Sequence, residues 1–318
     1  MGRHVIIGSG AVGTATALAL VDQGHEVTMV TRSGSGPECP GITRVAADAS
    51  DPIGLAAAVG RADALYNCAN PPYHRWPELW PPMASSMLEV AARSGAVLVI
   101  MGNLYGYGPV DHPMTEDDPL ASTGTKGRIR TAMWEDALAA HRAGRVRVTE
   151  ARASDFFGPG VVETSFFGRN VDRLLAGRNV RMLGDPDMVH SWTYVPDVGR
   201  TLAVLGTDER AWGRPWHVPT GPALTQRQLA TRFCQVAGVA TPPMAAYPAG
   251  TLTDTAPTWR CSRPHPRTGG GWSAWLLTAF VYTTSRRSPL DRPRSPSPST
   301  PRQSCTAKTS ALACRSPL

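Results

Sequence analysis

His4-Val5-Ile6-Ile7 runs directly into Gly8-Ser9-Gly10-Ala11-Val12-Gly13, and Ala11 to Gln23 then follows as a helical pattern. A short β-rich run, a G-x-G-x-x-G turn and a helix form the start of a parallel unit built to receive a pyrophosphate. Gly8 permits the tight turn, Gly10 lets backbone approach the phosphates, and Gly13 lets the helix close on the strand. The helix N-terminus adds unpaired N–H groups and the positive end of its dipole. A bound dinucleotide is expected here.

Outward from that turn, Glu26–Val30, Ala64–Tyr66, Val97–Ile100 and Val146–Thr149 read as further strands, nearly continuous in apolar character. Such strands belong in a sheet covered on both faces. Helical stretches intervene at Leu55–Val59, Met83–Arg93 and Gly127–Ala143, and Gly24, Gly95 and Gly144 stand where helices should stop. Regular alternation of this kind predicts an α/β fold with a doubly wound parallel Rossmann sheet over residues 1–160.

From 161 to 255 the pattern becomes mixed, with helices near Asn170–Ala176, from Tyr194-Val-Pro-Asp197 through Leu205, and over Thr225–Ala237. Thr225 with Gln228 three residues on is a capping-box pattern. A smaller substrate lobe is expected here. Residues 256–318 are rich in Pro, Ser, Thr and Arg, and a largely disordered tail is expected.

Charge separates the tail from the rest. The 318 residues carry 32 Lys+Arg against 25 Asp+Glu, a formal net charge of +7. From Ala256 onward there are ten basic side chains and the single acid Asp291, so the first 255 residues are slightly acidic. The basicity therefore does not point to a nucleic-acid binder, and a reading-frame change near residues 251–258 is an alternative origin for the tail. The longest apolar run, Trp272–Tyr282, is shorter than the roughly 20 residues needed to cross a bilayer, and no membrane partner is expected. Cys39, Cys68, Cys234, Cys261, Cys305 and Cys314 show neither C-x-x-C nor a Cys/His metal spacing, which fits a reduced, cytoplasmic protein without a bound metal.

The end of the second strand reads Thr31-Arg32-Ser33, with no carboxylate for a ribose 2′-hydroxyl. Arg32 would pair with a 2′-phosphate, so NADP(H) is favoured over NAD(H).

Taken with Asp48-Ala-Ser-Asp51, Tyr105-Gly-Tyr-Gly-Pro109, Arg152 to Gly160 and Tyr194-Val-Pro-Asp197, the glycine motif resembles the NAD(P)-dependent epimerase/dehydratase family, the extended short-chain dehydrogenase/reductases. The resemblance covers about residues 4 to 250. It implies that Asp48 meets the adenine, that Ala69 lines the adenosine side and that Lys126 holds the nicotinamide ribose. The family's acid/base pair is Tyr-x-x-x-Lys, and the matching stretch here is Ser122-Thr-Gly-Thr-Lys126, which keeps the lysine and replaces the phenol by Ser122. The family's strand-end Ser/Thr becomes Asn103, and Tyr105 and Tyr107 are candidates for a relocated phenol.

An arginine that grips the substrate diphosphate in nucleotide-sugar members becomes His190, and an asparagine becomes Asp155. A carboxylate there disfavours a diphosphate. Tyr73-His-Arg-Trp-Pro-Glu-Leu-Trp80 offers aromatic surface for a substrate or for packing. The resulting expectation is an NADP(H)-dependent oxidoreductase or epimerase/dehydratase-like enzyme acting on a small carbonyl or hydroxyl substrate, alone or as a homodimer. A non-catalytic NADP(H)-binding sensor is the alternative.

Overall fold

The computed structural model describes residues 1–161 and 165–248; the expected tail and its proposed frame change lie outside them. Ten elements make up the N-terminal part: β1 (Arg3–Ile7), α1 (Ala11–Asp22), β2 (Glu26–Thr31), β3 (Ile42–Ala46), α2 (Pro52–Val59), β4 (Ala64–Asn67), α3 (Trp76–Ser94), β5 (Val97–Asn103), α4 (Thr125–Arg142) and β6 (Arg147–Ala153). Beyond them come β7 (Asp155–Phe157), α5 (Val171–Leu175), β8 (Val180–Met182), β9 (Val189–His190), β10 (Trp192–Tyr194), α6 (Val195–Thr207), β11 (Pro215–His217), β12 (Leu224–Thr225), α7 (Gln226–Ala237) and β13 (Met244–Ala246).

Seven strands form one parallel sheet in the order β11-β6-β5-β4-β1-β2-β3. The register sets Ile7 beside Val30 on one side and Asn67 on the other. The strand order reverses around β1 and β4, so a crevice opens outside their C-terminal ends, where open α/β sheets bind ligands. Helices α2, α3 and α4 cover one face through Leu55, Met87, Val90 and Trp134. Helices α1 and α6 cover the other through Ala17, Leu20, Val198 and Leu202. The Rossmann expectation is met, and it extends further along the chain than residue 160: α6 packs on α1, and β11 pairs with β6 as the edge strand.

Strand β3 was not visible in the sequence pattern, and helix α3 was visible only in its second half. Strand β3 joins the opposite edge with a mixture of half-buried and exposed residues, as an edge strand can. Helix α3 begins at Trp76, seven residues before the predicted start, and accommodates Pro77 in its first turn with Pro81 and Pro82 inside. Trp76 and Trp80 on that first stretch are completely buried. The tryptophans of the aromatic segment therefore pack, and truncating either one would cost about 3–5 kcal/mol.

The second lobe rests on three two-stranded pairs, β7 with β10, β9 with β12 and β8 with β13. Its own core gathers Phe157, Phe167, Trp192, Leu229 and Phe233. The capping box forms as the sequence predicts: the Thr225 hydroxyl accepts from Gln228 N–H and the Gln228 side chain accepts from Thr225 N–H. Replacing Thr225 by alanine would cost about 1 kcal/mol. No helix among the described residues is long and apolar enough to cross a membrane.

Candidate active site

The glycine turn sits at the C-terminal end of β1. Gly8 has φ +104°, a conformation L side chains rarely adopt, and a Cβ there would press on the Cys68 carbonyl at 2.8 Å. A Cβ on Gly13 would overlap the Gly8 carbonyl, so helix and strand touch only because residue 13 has no side chain. Gly10 is different, because a Cβ added to it meets nothing within 4 Å. Gly10 is also the N-cap of α1 and supplies no side-chain hydrogen bond to the first N–H groups of the helix. Two glycines serve the protein's own packing and the third borders open space. These residues fit a dinucleotide pyrophosphate.

Arg32 and Asp48 lie at the C-terminal ends of the neighbouring strands β2 and β3. Asp48 Oδ1 accepts from Ser50 Oγ at 2.7 Å and from Ser50 N–H at 2.8 Å. These bonds to Ser50, with a smaller contribution from Arg32, hold its carboxyl below the ordinary carboxylate range. Arg32 is exposed and makes no salt bridge among the described residues. Ala69 follows β4 beside Gly8, whose Cβ would lie 3.0 Å from Ala69 N. Gly8, Gly10, Gly13, Arg32, Asp48 and Ala69 thus come to one edge of the sheet.

The residues expected to carry chemistry are only partly assembled. Helix α4 starts at Thr125 behind the N-cap Gly124, so Ser122 lies in the preceding loop and the Ser122/Lys126 spacing does not place both on one helix face. Ser122 N–H donates to the Gly106 carbonyl at 3.0 Å, and its hydroxyl is turned toward Gly127, where a Cβ would collide with it. Asn103 ends β5, and its Oδ1 accepts from Tyr105 N–H at 3.1 Å. The carbonyl of that amide shapes the loop, and the Nδ2 group makes no hydrogen bond among the described residues.

Tyr105 and Tyr107 take separate roles. Tyr107 is buried, its hydroxyl accepting from Arg152 Nη1 at 2.8 Å and lying 2.8 Å from His217 Nε2. Arg152 Nε donates to Glu150 Oε2 at 2.6 Å with both side chains almost fully buried, and Glu116 accepts from His217 N–H at 2.7 Å. This network closes the end of β6 onto β11 and leaves Tyr107 enclosed. Tyr105 stays 40% exposed. Its hydroxyl lies 3.4 Å from that of Tyr73. Burial on that side, followed by Tyr73 and the Asp155 carboxylate, pushes the Tyr105 hydroxyl well above the usual phenol range.

Lys126 Nζ lies 5.1 Å from the centroid of the Tyr73 ring. Arg130, one helical turn on, spreads over the rings of Trp76 and Trp80 at 4.7 and 4.5 Å. Its guanidinium is buried and is drawn down to about 10 by that burial. Tyr73 was foreseen only as part of an aromatic surface. Its placement against Lys126 joins positions 53 residues apart, for which local sequence carries no signal.

On the lobe side, Asp155 in β7 and His190 in β9 meet, with His190 Nε2 2.9 Å from Asp155 Oδ2 and both about half exposed. Ser154 Oγ lies 3.4 Å from the same nitrogen and donates to the Ser191 carbonyl at 2.6 Å. Because serine and aspartate approach one imidazole nitrogen, this is no proton relay of the serine-hydrolase type. Among the described residues no group of three or more His, Cys, Asp or Glu is placed to hold a metal ion.

Comparisons with known proteins agree with this fold. A dTDP-6-deoxy-L-talose 4-dehydrogenase (NAD(P)(+)) of Kitasatospora kifunensis is 28% identical over 254 residues, 74% of this chain and 79% of that protein. A dTDP-glucose 4,6-dehydratase of Streptomyces griseus is 28% identical over 155 residues, 48% of this chain; the match spans 47% of the dehydratase, about half its length. The solved structure of MoeE5 in complex with UDP-glucose and NAD superposes with a TM-score of 0.70 at 20% identity, covering 89% of this chain and 99% of that one. The model of the NAD dependent epimerase/dehydratase family matches residues 5–214, and the chain belongs to that family.

Proposed function

We propose that this protein is an NADP(H)-dependent oxidoreductase or epimerase/dehydratase-like enzyme of the cytoplasm that acts on a small carbonyl or hydroxyl substrate. The observation that carries the reading is the open cradle at Gly10 with exposed Arg32 at the adjoining strand end. When bound, a nicotinamide dinucleotide supplies hydride transfer. Gly10 and the first turn of α1 would hold its pyrophosphate, Arg32 a 2′-phosphate and Lys126 the nicotinamide ribose. The Asn103 amide N–H group would polarise a substrate oxygen, and Tyr105 would donate a hydrogen bond from a hydroxyl that stays protonated at neutral pH.

The named relatives act on dTDP-sugars, and this chain differs from the family where a diphosphate is gripped. By the resemblance Asp155 and His190 stand at that grip, and their contact at 2.9 Å supports a substrate without a diphosphate, since a carboxylate would repel one. Calorimetry with NADPH and NADH on the folded protein tests the cofactor half, with tighter NADPH binding expected. Binding of neither nucleotide would sink the reading. A carbonyl and alcohol panel followed by NADPH absorbance tests the enzymatic half, with Lys126→Ala abolishing turnover.

A non-catalytic NADP(H)-binding sensor is the second reading, favoured by Ser122 lying off helix α4 where the family has a phenol. Tight NADPH binding without Lys126-dependent turnover across the panel would select it.

A further inference from the structure

The geometry points to Tyr73, from the segment between β4 and α3, as the proton-transferring group of the active site, resting on the oxidoreductase reading above. Three arrangements carry it. First, Lys126 lies over the Tyr73 ring at 5.1 Å, and Arg130, one turn on along α4, lies over Trp76, the ring on which Tyr73 stacks at 4.8 Å and 17°. The lysine at the phenol, with the arginine on the neighbouring indole, opposes the negative charge that develops on the Tyr73 oxygen as a proton departs. Second, the Tyr73 hydroxyl meets that of Tyr105 at 3.4 Å. Either hydroxyl can donate across that distance, and Tyr105, held in its neutral form chiefly by burial, is able to donate to the Tyr73 oxygen. Third, Tyr73 is 37% exposed, open to a substrate and to reprotonation by solvent, whereas Tyr107 is enclosed.

In the oxidation direction, Tyr73 phenolate oxygen takes the hydroxyl proton of a secondary alcohol. The adjacent C–H bond breaks, its electron pair leaving as hydride to the nicotinamide of NADP⁺, and the carbon–oxygen double bond forms. The alcohol is oxidised, the dinucleotide is reduced, and the proton rests on Tyr73. Reduction of a carbonyl runs the same transfers in reverse. A phenol contributed by a different segment thereby stands beside Lys126 in place of the one lost at Ser122.

The test combines three measurements on the full chain. Calorimetry with NADPH comes first, and absence of binding overturns the oxidoreductase reading before Tyr73 is touched. Nitration by tetranitromethane, mapped by peptide mass, reads the place of Tyr73 independently of activity. Saturating NADPH is expected to slow modification of Tyr73 by about tenfold, and equal rates with and without it overturn the proposal. Tyr73→Phe is then expected to keep NADPH affinity within about twofold while lowering turnover about 10²–10⁴-fold, the usual contribution of a general acid or base. Tyr105→Phe should lower turnover about tenfold, the effect of one lost hydrogen bond. A Tyr73→Phe protein that binds NADPH and keeps more than about a tenth of wild-type turnover overturns the assignment.

Discussion

Gly13 faces the carbonyl oxygen of Gly8 so closely that a Cβ at position 13 would overlap it. Gly13→Ala must therefore push α1 away from β1, and a loss of about 1–3 kcal/mol is expected from overpacking. Gly10→Ala meets no protein atom; stability should hold while NADPH affinity falls, because the new methyl enters the phosphate cradle. Thermal melts with and without NADPH separate the two, and equal destabilisation of both variants would contradict the assignment of the open side to a ligand.

Arg32 is exposed at the end of β2, and no carboxylate among the described residues lies within salt-bridge distance of it. Arg32→Ala should weaken NADPH binding about 10- to 100-fold, the loss of a hydrogen bond to a charged group, and leave NADH nearly unchanged. Paired calorimetric titrations check this. An equal loss for both nucleotides would mean that Arg32 does not read the 2′-phosphate.

Asp155 and His190 occupy each other at 2.9 Å. The double variant Asp155→Asn with His190→Arg removes a carboxylate and adds a fixed cation, and a gain of about tenfold or more in dTDP affinity is expected. Equilibrium binding of dTDP to wild type and variant decides the point. Tight binding already present in the wild type would favour a nucleotide-sugar substrate.

At the far end of the sheet, His4 is 2% exposed, its Nδ1 2.9 Å from Tyr66 hydroxyl and its Nε2 3.2 Å from His25 Nδ1. Burial first, then His25 and the N-terminal amine, lower it from 6.5 to about 4 against the opposing pull of Asp63. The unfolded chain takes up this proton near pH 6.5 and the folded chain only near 4. Stability from this group is thus fully present above 6.5 and lost as pH falls through that window, by about 3 kcal/mol at most. Urea denaturation at pH 7 and pH 4.5 should show the loss, and His4→Gln should flatten it.

The strands that pack on both faces were readable because burial demands an unbroken apolar run, as in Val97–Ile100. The turn at Gly8–Gly13 was readable because a close approach demands glycine. Strand β3 escaped because an edge strand needs no such run. The start of α3 escaped because three prolines masked a helix whose first turns are held by the buried indoles of Trp76 and Trp80. Among the candidate residues, Gly10 was named from a local motif and Lys126, Asp155 and His190 from the family resemblance, but the contact between Asp155 and His190 had no local signal. Neither source singled out Tyr73, because its meaning depends on Tyr105 and Lys126, which only the tertiary fold brings to it.

Because β11 returns from beyond residue 214 to flank β6, and α6 covers α1, the two halves of this molecule cannot be exchanged as cassettes. A chimera joined at residue 160 would carry a bare sheet edge at β6 and an uncovered apolar stripe along α1, both open to other chains. Anyone grafting a new substrate lobe onto this sheet must cut twice, leaving Val195–His217 with its host.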